Sequence, residues 1–536
     1  MVSQSHEAVN TAAERIRKHC IRLNTDLEVV RFSNREGAVS HGLKDVYSHA
    51  ITTEKRELFN AEIKYRVEFL SEALGLEREF ISSVVLAKLK LFKQIDELES
   101  LLAQVAHLKD EKDIAALKKV VIGLDDAIRS KLSAVYGVNL SKETKASDAK
   151  AIVILKLCND YAVRPDEARR VRALAKVSRD MLEALSGERV NLDEFYARSR
   201  QLVAGTCVGI GQGHIGINEN IYDWVIIDEA ARSIASELAI AMQSAKRVLL
   251  VGDHLQLPPL YSDPHKEALA LRLGIKNSRS DIDEMLQSDF ARAFESKYGE
   301  QANAALLTQY RMAPPIGNLV SETFYKKTKL VNGDRTIPDV YENAPMPLRN
   351  YVTWLDTASL GQRSNHLNDR GTSIYNRAEA DQIIDLLKQI SDNFEFTGKL
   401  SALTNKDEAA IGVICMYAEQ KRIIRQKFNQ ETWSEGFKDL VKIDTVDSYQ
   451  GKENRIILLS LTRSDKLHTP GFLRAPNRIN VAMSRAMDRL LIVGNSDMWK
   501  GKNKELPLGQ VVHFMTQQGT DNGYSFLSVK RAGSEK

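Results

Sequence analysis

Between residues 201 and 500, short apolar runs alternate with stretches of helical pattern, and this alternation limits the fold more than any other feature. The runs are "DWVIID", "RVLLVGD", "AALLTQY", "YVTWLD", "IGVICMY", "RIILLSL" and "RLLIVGN". Strands separated by helices predict parallel sheets with helices on both faces. The stretch is long enough for part of one sheet and all of another. Before it, "HEAVNTAAERIRKH" predicts a helix and "LEVVRFS" a short extended segment, with the end of a strand at the very start.

Residues 51–200 are almost free of strand signals. Val84, Leu91, Ile95, Leu98, Leu102 and Val105 fall on one heptad seam, interrupted at Lys88. After the polar turn "LKDEKD" a second seam runs through Leu117, Val121, Leu124 and Ile128. Two such helices predict an antiparallel hairpin, either a protruding coiled-coil stalk or part of an ordinary helical subdomain. The basic run from Arg164 to Asp180 reads as a solvated helix face or as a nucleic-acid patch.

Composition excludes more than it selects. A net charge of +4 is too small for overall basicity to indicate nucleic acid, so that case rests on local features. Cys20, Cys158, Cys207 and Cys415 stand far apart, with no C-x-x-C pattern, and read as reduced structural cysteines. No apolar run approaches the roughly 18 residues of a membrane span, and no signal-peptide core is present, so a soluble, cytoplasmic protein is expected.

The chemistry gathers where apolar runs end. "DWVIID" stops at Asp228-Glu229, a pattern suited to holding magnesium beside a base that takes a proton from water. "RVLLVGDHLQLPPL" then presents Gly252-Asp253 and Gln256 before a Pro-Pro stop. "LLTQYRM" places Gln309, Tyr310 and Arg311 after a run, and "VDSYQGKENRIILLS" places Gln450, Gly451 and Glu453 before one. "RINVAMSRAMDRLLIVGN" sets Arg478, Asn480, Ser484 and Arg485 ahead of the last run. Open α/β sheets bind ligands at such strand ends.

In order, spacing and residue type, these segments resemble a superfamily 1 helicase of the branch that includes the nonsense-mediated-decay RNA helicase. The likeness covers residues 1–50 and 201–500. It implies two RecA-like P-loop NTPase domains with a long helical insertion in the first. The expected division is a first domain at 1–50 and 201–305, an insertion at 51–200, a second domain at 306–500 and a polar tail at 501–536. The resemblance implies ATP and Mg2+ as cofactors and 5′→3′ movement on single-stranded DNA or RNA. It implies that Asp228 binds magnesium through water, that Glu229 is the general base and that Gln256 senses the γ-phosphate. Arg311 and Arg485 would act as arginine fingers, and such a residue is worth roughly 10³–10⁵ in rate. Gln450, Gly451 and Glu453 would couple nucleotide to strand, Glu453 through the ribose. Ser3, Ser5 and His6 in "SQSHEAVN", with Thr206 and Cys207, would grip the nucleic-acid backbone. Two departures stand out: Arg232 replaces a small polar residue, and Ser484 replaces a frequent Thr.

A magnesium-holding Asp needs a phosphate cradle, usually G-x-x-x-x-G-K-[ST]. "FTGKLS" has Leu400 where Ser or Thr belongs, and "GIGQGHIG" has no Lys. In the family the cradle precedes the segment that here begins at Ser3, so the expectation is a first domain incomplete at its N-terminus. Three readings compete: a piece of a longer helicase, an enzyme whose loop comes from another polypeptide, and a non-hydrolysing relative that only binds nucleic acid or partners. Glu229, Arg311 and Arg485 are retained, which favours the first. A first sheet without its leading strand also predicts exposed apolar surface and low solubility.

Overall fold

The computed structural model describes residues 1–529 apart from 74, 108–110, 142–143, 145–147, 165–166, 168–191, 262, 273, 275–287, 369–370, 372, 405–407 and 450. It divides into two compact units, Met1–Ala12 with Thr206–Val208 and Ile221–Lys536, and Ala13–Gly205 with Gly209–Asn220. No helix among the described residues is long and apolar enough to cross a membrane.

Among the described residues, the first unit contains two large parallel arrays and one short two-stranded pair. In one, β1 (Val2–Ser3), β4 (Tyr222–Asp228) and β5 (Ala245–Leu250) lie side by side, with Val2 opposite Ile227 and Ile227 opposite Leu250. Their C-terminal ends are therefore level, and Ser3, Asp228 and Val251 emerge together. β5 is the last strand of its sheet. Trp224, Leu249 and Val251 are 52%, 46% and 41% exposed, with Arg247 lying over the Trp224 ring. Parallel strands are ordinarily covered on both faces, whereas this apolar surface is open.

The other array is a six-stranded sheet in the order β10-β9-β11-β12-β8-β13. Its strands are β8 (Val352–Asp356), β9 (Ile411–Cys415), β10 (Val441–Thr445), β11 (Asn454–Ser460), β12 (Ala486–Gly494) and β13 (Tyr524–Ser528), all paired in parallel. Side chains alternate across the pleat. Ile457 and Leu459 join the core under helices Pro314–Phe324, Pro476–Met483 and Pro507–Gln518, whereas Ile456 and Leu458 join the core under Arg377–Asp392 and Ala418–Gln430. Double-sided burial explains the unbroken run "RIILLS".

Two expectations are corrected here. "AALLTQY" is no core strand: only Thr308–Gln309 is extended (β6), paired with Val331–Asn332 (β7), and Leu306 is 92% exposed. The described residues 501–529 are no mere polar tail. Leu508, Val511, Val512 and Met515 bury one face of a helix, and β13 extends the sheet beside β8.

In the second unit, β2 (Val29–Arg31) pairs in parallel with β3 (Leu202–Thr206). The first seam runs from the helix Arg78–Leu86 into Lys93–His107, and Glu111–Tyr136 carries the second. The interruption at Lys88 coincides with a π-helical stretch, Ala87–Phe92, which absorbs the break in period. Leu91, Ile95, Leu98 and Ile128 are fully buried with Val153 of a third helix, Ala149–Asp160, and Lys150 pairs with Asp96 and Glu99. Farther along the seam Leu102 is 49% exposed. Most of the basic run from Arg164 to Asp180 lies outside the described residues.

Candidate active site

β4 ends at Asp228, whose Oδ1 accepts the Glu229 backbone N–H at 3.0 Å. Glu229 then turns in the left-handed region, at φ 52° and ψ 35°. For a side-chain-bearing residue this costs of order 1 kcal/mol, and such strain clusters at functional sites. The turn is held because Ala230 N–H donates to Val251 O at 2.9 Å. Gly252 allows that approach: a Cβ there would lie 2.9 Å from the Ala231 nitrogen. Glu229 lines a small cleft with Gln4, Ser5, Ala8, Arg232 and Gly451.

The loop after β5 is organised by Asp253. Its carboxylate accepts the Leu255 N–H at 2.9 Å, the Gln256 amide at 3.0 Å and the Tyr325 hydroxyl at 2.5 Å. Arg485, at the end of the helix Pro476–Met483, donates to Gln256 Oε1 at 2.9 Å. That guanidinium is 2% exposed; burial first, then the nearby Arg311 charge, lowers it to about 10, while Glu229 and Glu453 support its charge. Asn477 donates to Gln256 O at 2.6 Å and Asn480 to Leu255 O at 3.0 Å, so one helix of the six-stranded sheet grips the loop of the other sheet.

Arg311 is set by Gln309, whose Oε1 accepts the Arg311 and Met312 N–H groups at 3.0 and 2.7 Å. The Arg311 side chain pairs with Glu453 and also donates to Ser484 O. Glu229, Gln256, Arg311, Arg485 and Glu453 thus converge from five separated segments. The pairing of Arg311 with Glu453 differs from the separate phosphate and ribose roles that the resemblance implies. Arg232 donates to Asp447 O at 3.4 Å. Gly451 adopts φ 79°, and Gln450 lies outside the described residues.

The nucleic-acid candidates divide. Ser3 is fully buried in β1, opposite Asp228, and Cys207 is 1% exposed with its thiol pushed up to about 11 by burial. Neither side chain is a surface contact: both residues of β1 are buried, Ser3 lying beside Asp228 of β4, and Cys207 packs where β3 ends. Ser5 caps the helix His6–Arg22 through a 3.1 Å bond from Ala8 N–H. His6 and Thr206 are half-buried. Among the described residues no cluster of three or more His, Cys, Asp or Glu could hold a metal by itself. A magnesium ion carried largely by phosphate and water fits a single Asp at a strand end. Tyr325 and Asn477 carried no signal in the sequence: one closes an amphipathic helix, the other follows a proline at a helix start.

Two protein-family models, each described as an AAA domain, match residues 1–263 and 285–497. The chain is similar to "Helicase sen1" of Schizosaccharomyces pombe, at 30% identity over 308 residues, 56% of this chain and 16% of that protein. It is similar to "ATP-dependent helicase NAM7" of Saccharomyces cerevisiae, at 32% over 302 residues, 55% of this chain and 27% of that protein. The "DNA replication ATP-dependent helicase/nuclease dna2" of Schizosaccharomyces pombe matches at 27% over 423 residues, 74% of this chain and 28% of that protein. The chain therefore spans less than a third of these relatives' length. Family models on both parallel arrays, and helicases as relatives, agree with the strand-end chemistry: the chain belongs to the superfamily 1 helicases of the nonsense-mediated-decay type.

Proposed function

We propose that this chain forms the motor of an ATP-dependent helicase or translocase that moves 5′→3′ along single-stranded DNA or RNA, acting in the cytoplasm. One observation carries the reading: Glu229 lines a cleft, and Arg485, bonded to Gln256, lies within electrostatic reach of both Glu229 and Arg311. A buried guanidinium whose charge is disfavoured by burial and by a neighbouring Arg311 suits a polyanion beside it. Asp228 would hold magnesium, which would supply charge neutralisation for phosphoryl transfer. Glu229 accepts the proton of the attacking water. Arg485, anchored on Gln256, meets developing phosphate charge. Arg311 exchanges Glu453 for phosphate, which frees Glu453 for the ribose. Ser5, His6 and the backbone around Thr206 hold the strand.

A second reading, an ATP-independent clamp on nucleic acid, is favoured by the Arg311–Glu453 pair, which occupies an arginine the motor needs for phosphate. Strand affinity measured with and without ATP-Mg separates the two. The motor predicts an affinity that changes with nucleotide and falls steeply with salt. An affinity indifferent to nucleotide contradicts the motor.

A further inference from the structure

The loop that carries Gln256 is locked by a residue outside the family's strand-end segments. Tyr325, at the C-terminal end of the helix Pro314–Phe324, donates its hydroxyl proton to Asp253 Oδ2 at 2.5 Å and accepts from Asn480 Nδ2 at 3.1 Å. The same Oδ2 accepts from Gln256 Nε2 at 3.0 Å. An ionised carboxylate is acceptor-only, so the NH2 end of Gln256 must face Asp253. The amide oxygen is thereby turned to Arg485, which donates to it at 2.9 Å. The chain of bonds runs Asn480, Tyr325, Asp253, Gln256, Arg485, and both ends belong to the segment 476–485. Burial pushes the Tyr325 phenol far up, with Asp253 adding to the shift, so it remains a donor throughout the neutral range.

We infer that Tyr325 is a positioning residue: its hydroxyl fixes Asp253 so that Gln256 presents oxygen, and not NH2, to Arg485. Without it, Oδ2 of Asp253 is held only by Gln256 itself while Oδ1 keeps the Leu255 N–H, so the Gln256 amide can flip and Arg485 then meets a donor. The inference rests on the motor reading for its kinetic consequence but not for its structural one.

Tyr325→Phe tests both, because the ring remains and only the hydroxyl is lost. In ATP turnover kcat should fall about tenfold to a hundredfold, the scale of a hydrogen bond to a charged group, with KM within about threefold. An unchanged kcat, or a rise in KM at unchanged kcat, overturns the inference. Amide hydrogen exchange on the nucleotide-free protein supplies the independent arm. Leu255 and Gln256 N–H, bonded to Asp253 Oδ1 and O, should exchange at least about tenfold faster in the variant, while β11 amides keep their rates. Unchanged loop exchange, or acceleration that includes β11, overturns the inference. A wild type that does not hydrolyse ATP, with loop exchange still selectively accelerated in the variant, counts against the motor reading and leaves the positioning role standing.

Discussion

Replacing Gly252 with Ala probes how the Asp228-Glu229 turn is built. The added Cβ would sit 2.9 Å from the Ala231 nitrogen and 3.3 Å from the Ala230 nitrogen. Both are backbone atoms, so no side chain can swing aside. Ala230 N–H is moreover committed to Val251 O at 2.9 Å. Restoring ordinary contact needs a shift of about half an ångström in the turn that carries Glu229. Overpacking of this kind costs about 1–3 kcal/mol, a fall of several degrees in Tm for domains of this size. A 1 Å misplacement of a reacting group can cost about 10²-fold in rate, so about a tenfold loss of strand-stimulated ATP turnover is expected. Gly398→Ala is the control. Gly398 lies inside the helix Phe394–Ala402 with nothing within 4 Å of its added Cβ, and alanine there should stabilise by up to about 1 kcal/mol. Differential scanning calorimetry and a turnover assay read both variants. Gly252→Ala with wild-type melting and turnover would refute the packing argument.

Two further outcomes follow from buried and exposed extremes. Glu379 is fully buried, accepting from Ser460 Oγ and Thr462 N–H at 2.7 Å, and burial raises its carboxyl to about 8. Below pH about 4.5 folded and unfolded chains both hold the proton; between there and about 8 the unfolded chain releases it first, so stability falls by up to about 1.4 kcal/mol per unit. Glu379→Gln keeps both bonds through its amide oxygen and removes this slope, so denaturant curves of variant and wild type that run parallel from pH 5 to 8 would contradict the assignment. On the first sheet, Leu249→Lys should reduce self-association in light scattering with little change in Tm, because Leu249 is 46% exposed beside Trp224; a monodisperse, cooperatively melting wild type would contradict the aggregation argument.

How much was legible depended on where the energy lies. Apolar runs marked β8, β9, β11 and β12, where double-sided burial demands continuous hydrophobicity, and also β4 and β5, although Trp224 and Leu249 there are half-exposed. The same rule misread "AALLTQY", whose leucines lie at the surface. It passed over β10 and β13, the two outermost strands of the six-stranded sheet, whose residues are less apolar. The residues at strand ends announced their chemistry through spacing, but their partners did not. Arg311 and Glu453 are 142 positions apart, and no local pattern encodes that pair. Tyr325 looks like the end of an amphipathic helix until the fold brings Asp253 to it. Ser3 was misjudged because a strand of two residues gives no period from which to tell inside from outside.

The central claim is that Glu229 is the base of an ATP-driven motor. Its most direct test is ATP hydrolysis by the purified protein, with and without single-stranded DNA or RNA, beside Glu229→Gln. The account predicts strand-stimulated turnover that vanishes in the variant while nucleotide binding is kept. Turnover that survives in Glu229→Gln, or nucleotide binding lost together with turnover, would contradict it.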